Sequence, residues 1–136
     1  MTINVELREE QAARLDRFAT GLRKTRDEAT AQLIEEGLRH AEFPAVEFRD
    51  SAGGRQAYVV GSGLAVWEVL LVAEGYGMDA RVTAEHLRLD VEKVALALGY
   101  AAAFAEEVHG ALEENRAMTP EKLRACLPAG AWVGIR

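Results

Sequence analysis

Length, composition and charge restrict the kinds of protein that this sequence can encode. It has 136 residues, of which 49% are hydrophobic and 28% charged, and its formal net charge is -6. This composition is that of a folded globular protein and excludes a fully disordered chain. No apolar run reaches the roughly 20 residues that span a bilayer, and the first residues show no secretory signal pattern. We therefore expect a cytoplasmic protein without membrane contact.

Residues 1–7 show the pattern of a β-strand. Two sets of side chains alternate along them, the apolar Ile3, Val5 and Leu7 and the polar Thr2, Asn4 and Glu6. A period of two is typical of a half-buried strand. Because a single strand leaves its backbone groups unpaired, the pattern predicts pairing with a second copy of the chain.

Two helices are predicted after this strand. The first covers residues 9–20 and ends near Gly21, and the second begins at the capping box Thr25–Glu28 and runs to about residue 41. Pro44 prevents simple continuation. Between residues 8 and 26, six basic side chains outnumber three acidic ones, a net charge of +3. The overall negative charge therefore leaves a local basic stretch that is suited to phosphate.

Strand, helix, basic turn and capped helix, in this order, resemble the ribbon-helix-helix family of CopG, Arc and MetJ-like repressors. The resemblance implies a dimer whose paired strands enter the major groove and whose second helices direct their N-termini to phosphate. It implies base contacts from Thr2, Asn4 and Glu6, and phosphate contacts from Arg23, Lys24, Thr25 and Arg26. Asn4 is the expected reader of adenine, whereas the carboxylate of Glu6 repels phosphate. A ribbon that only dimerises the protein is the alternative.

The second half predicts a hairpin followed by helices. Extended stretches at residues 46–49 and 56–60 flank a Gly-rich turn, and Gly61-Ser62-Gly63 then permits a sharp turn before a helix that contains Trp67. A short helix near residues 80–87 and a longer one from Asp90 to about Val108 follow. The expected fold class is thus mainly α, with an N-terminal ribbon-helix-helix unit and a C-terminal β-hairpin and helix-turn-helix-like module. The expected domains are residues 1–43, 44–112 and a tail, 113–136.

A second resemblance covers about residues 46–108. The run from Gly54 to Leu70, together with Gly75-Tyr76 and the stretch Ala97-Leu98-Gly99-Tyr100, resembles the antitoxin-associated domain of unknown function 433. Ser62-Gly63 stands where that family has Thr-Arg, and Ala65 stands where it has proline. The resemblance implies a partner that is a PIN-like toxin, a metal-dependent RNase.

The tail offers apolar side chains for which two uses are open. It either packs on its own dimer or docks on the toxin, as an aromatic anchor does at an interface. The predicted toxin-binding residues are the apolar Trp132 and Ile135 and, by similarity to VapB-like antitoxins, Arg124 and Arg136.

The remaining residues do not predict an enzyme. His40, His86 and His109 fall in separate predicted helices without metal-ligand spacing, and adjacent carboxylates occupy polar helix faces. We predict no catalytic residue, no metal site and no cofactor. The predicted function is that of an antitoxin in a type II toxin-antitoxin system, a homodimer that binds operator DNA, represses its own operon and neutralises the toxin. The alternative is a dimeric interaction protein that binds no DNA.

Overall fold

The protein is mainly helical. A computed structural model describes residues 1–52 and 54–116, and these residues form six helices and one two-stranded antiparallel sheet. In chain order the elements are α1 Glu9–Gly21, α2 Arg26–Glu42, β1 Val46–Ser51, β2 Gly54–Val59, α3 Val66–Gly75, α4 Ala80–Leu87, α5 Val91–Ala103 and α6 Ala105–Arg116. The chain divides into two compact units, Met1–Glu42 and Phe43–Arg136, which are called unit 1 and unit 2 below.

The predicted N-terminal strand is absent, so the ribbon-helix-helix fold class is wrong. Residues 1–8 have no regular secondary structure and are exposed, and the first element is a helix. Alternation predicts which side chains share a face, but it does not supply a neighbouring strand. In the described part of the chain the one sheet pairs β1 with β2, and residues 1–8 take no part in it.

Unit 1 is a pair of helices with very little interior. Helices α1 and α2 pack on each other, yet their fully buried residues are only Ala19 and Ala29. The predicted apolar face of α2 stays open, because Leu33, Ile34 and Leu38 are all exposed. Two buried alanines remove little apolar surface from water, and 42 residues seldom fold without further support.

Unit 2 begins with the predicted hairpin. Strands β1 and β2 pair antiparallel with Val46 opposite Val59 and Ser51 opposite Gly54. Gly61 then adopts a φ of +75°, a conformation that glycine takes without steric cost, and the Ser62 hydroxyl donates to the carbonyl oxygen of Val59 at 2.9 Å. The chain turns sharply here into α3, as the sequence predicts.

Tyr100 on α5 lies at the centre of the core of unit 2. It is fully buried, and the ring centroids of Phe104, Phe43 and Phe48 lie 4.7, 5.5 and 6.2 Å from that of Tyr100. The rings of Phe43 and Phe104 also contact each other, at a centroid distance of 6.3 Å. Its hydroxyl donates to Oε2 of Glu107 at 2.7 Å, so the buried ring keeps a partner for its polar end. The core of unit 2 is therefore complete within one chain, in contrast to that of unit 1.

The helix predicted to run from Asp90 to Val108 is interrupted at Phe104. Its φ and ψ of -119° and 50° end α5, and α6 begins at the next residue and continues to Arg116, past the expected domain boundary at residue 112. Among the described residues, no helix combines the length and apolar character that crossing a membrane requires.

Candidate nucleic-acid interface

The basic turn between α1 and α2 has a defined backbone structure. The amide of Lys24 donates to the carbonyl oxygen of Ala19 at 2.9 Å, and the amide of Arg23 donates to that of Thr20 at 3.1 Å. These two bonds form a Schellman motif, in which the residue after the helix cap is normally glycine. Here that residue is Arg23, with a φ of +57°. Helix α1 ends at Gly21, as the sequence predicts, and the left-handed residue of the motif follows two positions later.

A left-handed backbone at arginine is unfavourable by about 1 kcal/mol or more. Such positions persist where the surrounding structure holds them, and they are concentrated at functional sites. The side chain of Arg23 is exposed and makes no ion pair with any described residue. The guanidinium of Arg23 is thus a positive charge without an ion-pair partner among the described residues, at the tip of the turn.

The predicted capping box of α2 is confirmed. The amide of Glu28 donates to Oγ1 of Thr25 at 3.1 Å, and the amide of Thr25 donates to Oε1 of Glu28 at 3.0 Å. The hydrogen bonds that its carboxylate receives from the backbone amide and the side chain of Thr25 hold the pKa of Glu28 below its usual value. The hydroxyl of Thr25, which was predicted to meet phosphate, is therefore already bound within its own helix.

The other two predicted phosphate contacts differ in how they are held. Nε of Arg26 donates to Oδ1 of Asp16 at 2.8 Å, and Nη2 donates to Oδ2 at 2.8 Å. This bidentate ion pair connects α2 to α1. Nζ of Lys24 donates to Oε1 of Gln32, and its charge lies close enough to Glu28 to help lower the pKa of that carboxyl group.

The predicted base-reading residues lie on the extended segment before α1. Thr2, Asn4 and Glu6 are exposed, and their side chains form no hydrogen bond or ion pair within residues 1–52 and 54–116. The structure does not bring them together with the turn by any such contact. Their role as base readers stays a prediction.

Two cations that the sequence argument left out add to this region. Arg14 and Arg17 lie on α1, and neither forms an ion pair with a described residue. Their position in the stretch with net charge +3 was the signal that pointed to them. Arg17 on α1 and Arg23 at the turn are thus the cations farthest from any carboxylate pairing, whereas Arg14 also lines the apolar groove described next.

An apolar groove opens in the same unit. It has a volume of about 590 Å³, and its lining is largely hydrophobic. The lining residues are Leu7, Gln11, Arg14, Leu15, Phe18, Thr30, Leu33 and Ile34. Leu38, which is 57% exposed, continues the same face of α2 one turn beyond Ile34. An open apolar surface of this kind marks an interaction site in a soluble protein.

The four residues predicted to bind a toxin, Arg124, Trp132, Ile135 and Arg136, lie outside the described residues. Within the described residues, no three histidine, cysteine, aspartate or glutamate side chains form a group that is able to hold a metal ion. His86 instead pairs with Tyr76, whose hydroxyl lies 2.8 Å from Nδ1.

Comparisons with protein-family models, with curated proteins and with solved structures give no match.

Proposed function

We propose that this chain is a cytoplasmic antitoxin that binds operator DNA as a homodimer and represses its own operon. The single observation that carries the proposal is the combination, within unit 1, of an unpartnered apolar face and a turn that presents free cations. The first feature supports the dimer and the second supports the contact with DNA.

The homodimer follows from the sparse interior of unit 1. Ile34, which is 53% exposed, and its apolar neighbours on α2 lose contact with water when a second copy covers them. A second copy is present wherever the chain is present, and a two-fold axis allows the same face to meet itself. Specific interfaces remove about 800 Å² from each partner, an area that two helices of 13 and 17 residues are long enough to supply.

The DNA contact follows from the cations that dimerisation leaves at the surface. Neither Arg23 nor Lys24 forms a salt bridge with a described carboxylate, although the charge of Lys24 acts on Glu28. A two-fold dimer presents this turn twice, which is the arrangement that reads a palindromic operator. Neutralised phosphates release counterions, so binding by these cations depends steeply on salt.

Antitoxin activity is supported by the resemblance of residues 46–108 to the domain of unknown function 433. Unit 2 has its own core, so it is able to hold a partner without losing its fold. The predicted contacts of the tail, Trp132 among them, belong to this part of the proposal. The toxin is expected to be the product of an adjacent gene, as in other operons of this kind.

Operator binding is tested by measuring the affinity of the full chain for DNA from its own promoter region over a range of salt concentrations. We expect log affinity to fall linearly with log salt, and promoter DNA to bind more tightly than DNA of shuffled sequence. Arg23→Gln should lower the slope by about 0.9 for each subunit. Arg81→Gln, the same change on helix α4 of unit 2, is the matched control and should leave the slope unchanged.

Two results contradict the proposal, the first from this titration and the second from co-expression of the chain with the adjacent gene product. A homodimer with no affinity for any DNA would support the alternative, an interaction protein. A chain that neither co-purifies with the adjacent gene product nor suppresses its RNase activity would remove the antitoxin assignment and leave a repressor.

A further inference from the structure

The ion pair between Asp16 and Arg26 has a geometry that leaves half of the guanidinium available. We propose that Asp16 is a positioning residue, which holds Arg26 so that its outer edge meets a phosphate of bound DNA. This inference rests on the proposed function and assigns a role to a residue that the sequence argument counted only as an opposing charge.

The atoms used in the ion pair decide which edge is free. Asp16 accepts from Nε and Nη2, the side edge of the guanidinium, at 2.8 Å each. Nη1 and the second proton of Nη2 form the end edge, and Nη1 forms no hydrogen bond in the described part of the chain, although the charge of Asp27 acts on the guanidinium. A planar guanidinium binds a phosphate through two parallel N–H groups, and the end edge supplies such a pair.

The ion pair also fixes where that edge lies. Asp16 is on α1 and Arg26 is the first residue of α2, so the pair connects two helices across the turn. A free arginine side chain loses many rotamers when it binds a phosphate. Arg26 is already held by two hydrogen bonds, so less freedom remains to be lost.

The carboxylate of Asp16 stays charged at neutral pH. The hydrogen bonds from Arg26 hold the pKa of Asp16 below its usual value, and so the ion pair persists at neutral pH. A surface pair of this kind adds little to folding stability, because water and salt screen it. Orientation of Arg26 is therefore the larger consequence of the contact.

Removing Asp16 has two opposite effects on DNA binding. The loss of a negative charge strengthens the attraction for phosphate, and the loss of orientation weakens the Arg26 contact. Salt at physiological concentration screens exposed charges beyond about 8 Å, whereas a lost contact lowers the salt slope by about 0.9 for each subunit. The two effects differ in sign, so the direction in which the salt slope changes shows which of them is larger.

The experiment compares the full-length wild type with Asp16→Ala, Arg26→Ala and the double variant on promoter DNA over a range of salt concentrations. We expect each single variant to bind more weakly and to lower the slope by about 1.8 for a dimer. The double variant should match the single ones, because all three lose the same contact. Asp16→Glu, which keeps a carboxylate, should recover much of the wild-type slope.

The control is Glu9→Ala, which removes the same charge from the same helix at a residue that forms no ion pair with a described residue. It should bind DNA as tightly as the wild type or more tightly. Circular dichroism and the oligomeric mass verify the fold of each variant. If Asp16→Ala does not fold, Asp16→Asn replaces it, and we expect a smaller loss of slope in the same direction.

The outcomes separate this inference from the proposed function. A wild type that shows no salt-dependent DNA binding would overturn the proposed function itself. A wild type that binds, with an unchanged slope or tighter binding in the Asp16 variants, would overturn only the positioning role.

Discussion

Arg23 combines a charged side chain with a backbone conformation that favours glycine. Its φ of +57° completes the Schellman motif at the end of α1, and its side chain has no ion pair among the described residues. Arg88 provides a close comparison, since it also has a φ of +57° and also follows a helix, α4. The two arginines differ in location, because only Arg23 lies in the basic stretch of unit 1.

The first prediction uses this pair of residues. Arg23→Gly and Arg88→Gly should each raise the free energy of unfolding by about 1 kcal/mol, because glycine adopts the left-handed conformation without a steric penalty. Chemical denaturation measures this gain. Only Arg23→Gly should weaken DNA binding. Equal DNA affinity of the two variants would show that Arg23 does not contact DNA.

The second prediction concerns acid. Hydrogen bonds from Arg26 lower the pKa of Asp16, and those from Thr25 lower the pKa of Glu28. A carboxyl group whose pKa is lower in the folded state stabilises that state above its unfolded pKa, and the stabilisation is lost as the pH falls through the folded value. Unit 1 should therefore lose stability below about pH 4.

NMR titration of the carboxyl carbons checks this expectation. The midpoints of Asp16 and Glu28 should lie below those of the same residues in the unfolded chain. In Arg26→Ala the midpoint of Asp16 should rise toward the unfolded value while that of Glu28 changes little. A midpoint of Asp16 that Arg26→Ala does not move would contradict the ion pair.

At the scale of elements, the sequence predicted features that depend on neighbouring residues better than features that need a second, distant segment of chain. The Thr25–Glu28 capping box and the β1–β2 hairpin are both present, because each depends on residues close together in the chain. The strand predicted for residues 1–7 fails, since a strand also needs a neighbour that local alternation cannot provide.

The break between α5 and α6 was missed for a related reason. Phe104 continues the apolar pattern, yet its ring packs 4.7 Å from that of Tyr100 and its backbone leaves the helical region. Phe104 also packs on Phe43, at a centroid distance of 6.3 Å, and a contact with a residue so far away in the chain is not visible in a local pattern. The candidate site shows the same limit, because no spacing rule connects Asp16 with Arg26.

The third prediction tests the packing of α6 on unit 2. Leu112 is buried on this helix, so Leu112→Ala should lower the free energy of unfolding by about 2–5 kcal/mol through lost burial and a cavity. Leu71→Ala, at a side chain of α3 that is 39% exposed, should lower it by only about 1 kcal/mol. Similar losses in the two variants would contradict the assignment of the core.

At the scale of the molecule, the two units differ in how complete they are alone. Unit 2 buries an aromatic centre and several aliphatic side chains within one chain, whereas unit 1 buries two alanines. Folding of unit 1 is therefore expected to depend on association, so its unfolding temperature should rise with protein concentration.

The most direct test of this account is the oligomeric mass of the full chain and of Ile34→Asp, measured by sedimentation equilibrium at micromolar concentration. Val91→Asp, a change of similar exposure on unit 2, is the matched control. We predict a dimer for the wild type and for Val91→Asp, and a monomer with reduced helix content for Ile34→Asp. A wild type that is monomeric with α1 and α2 fully formed would contradict the account.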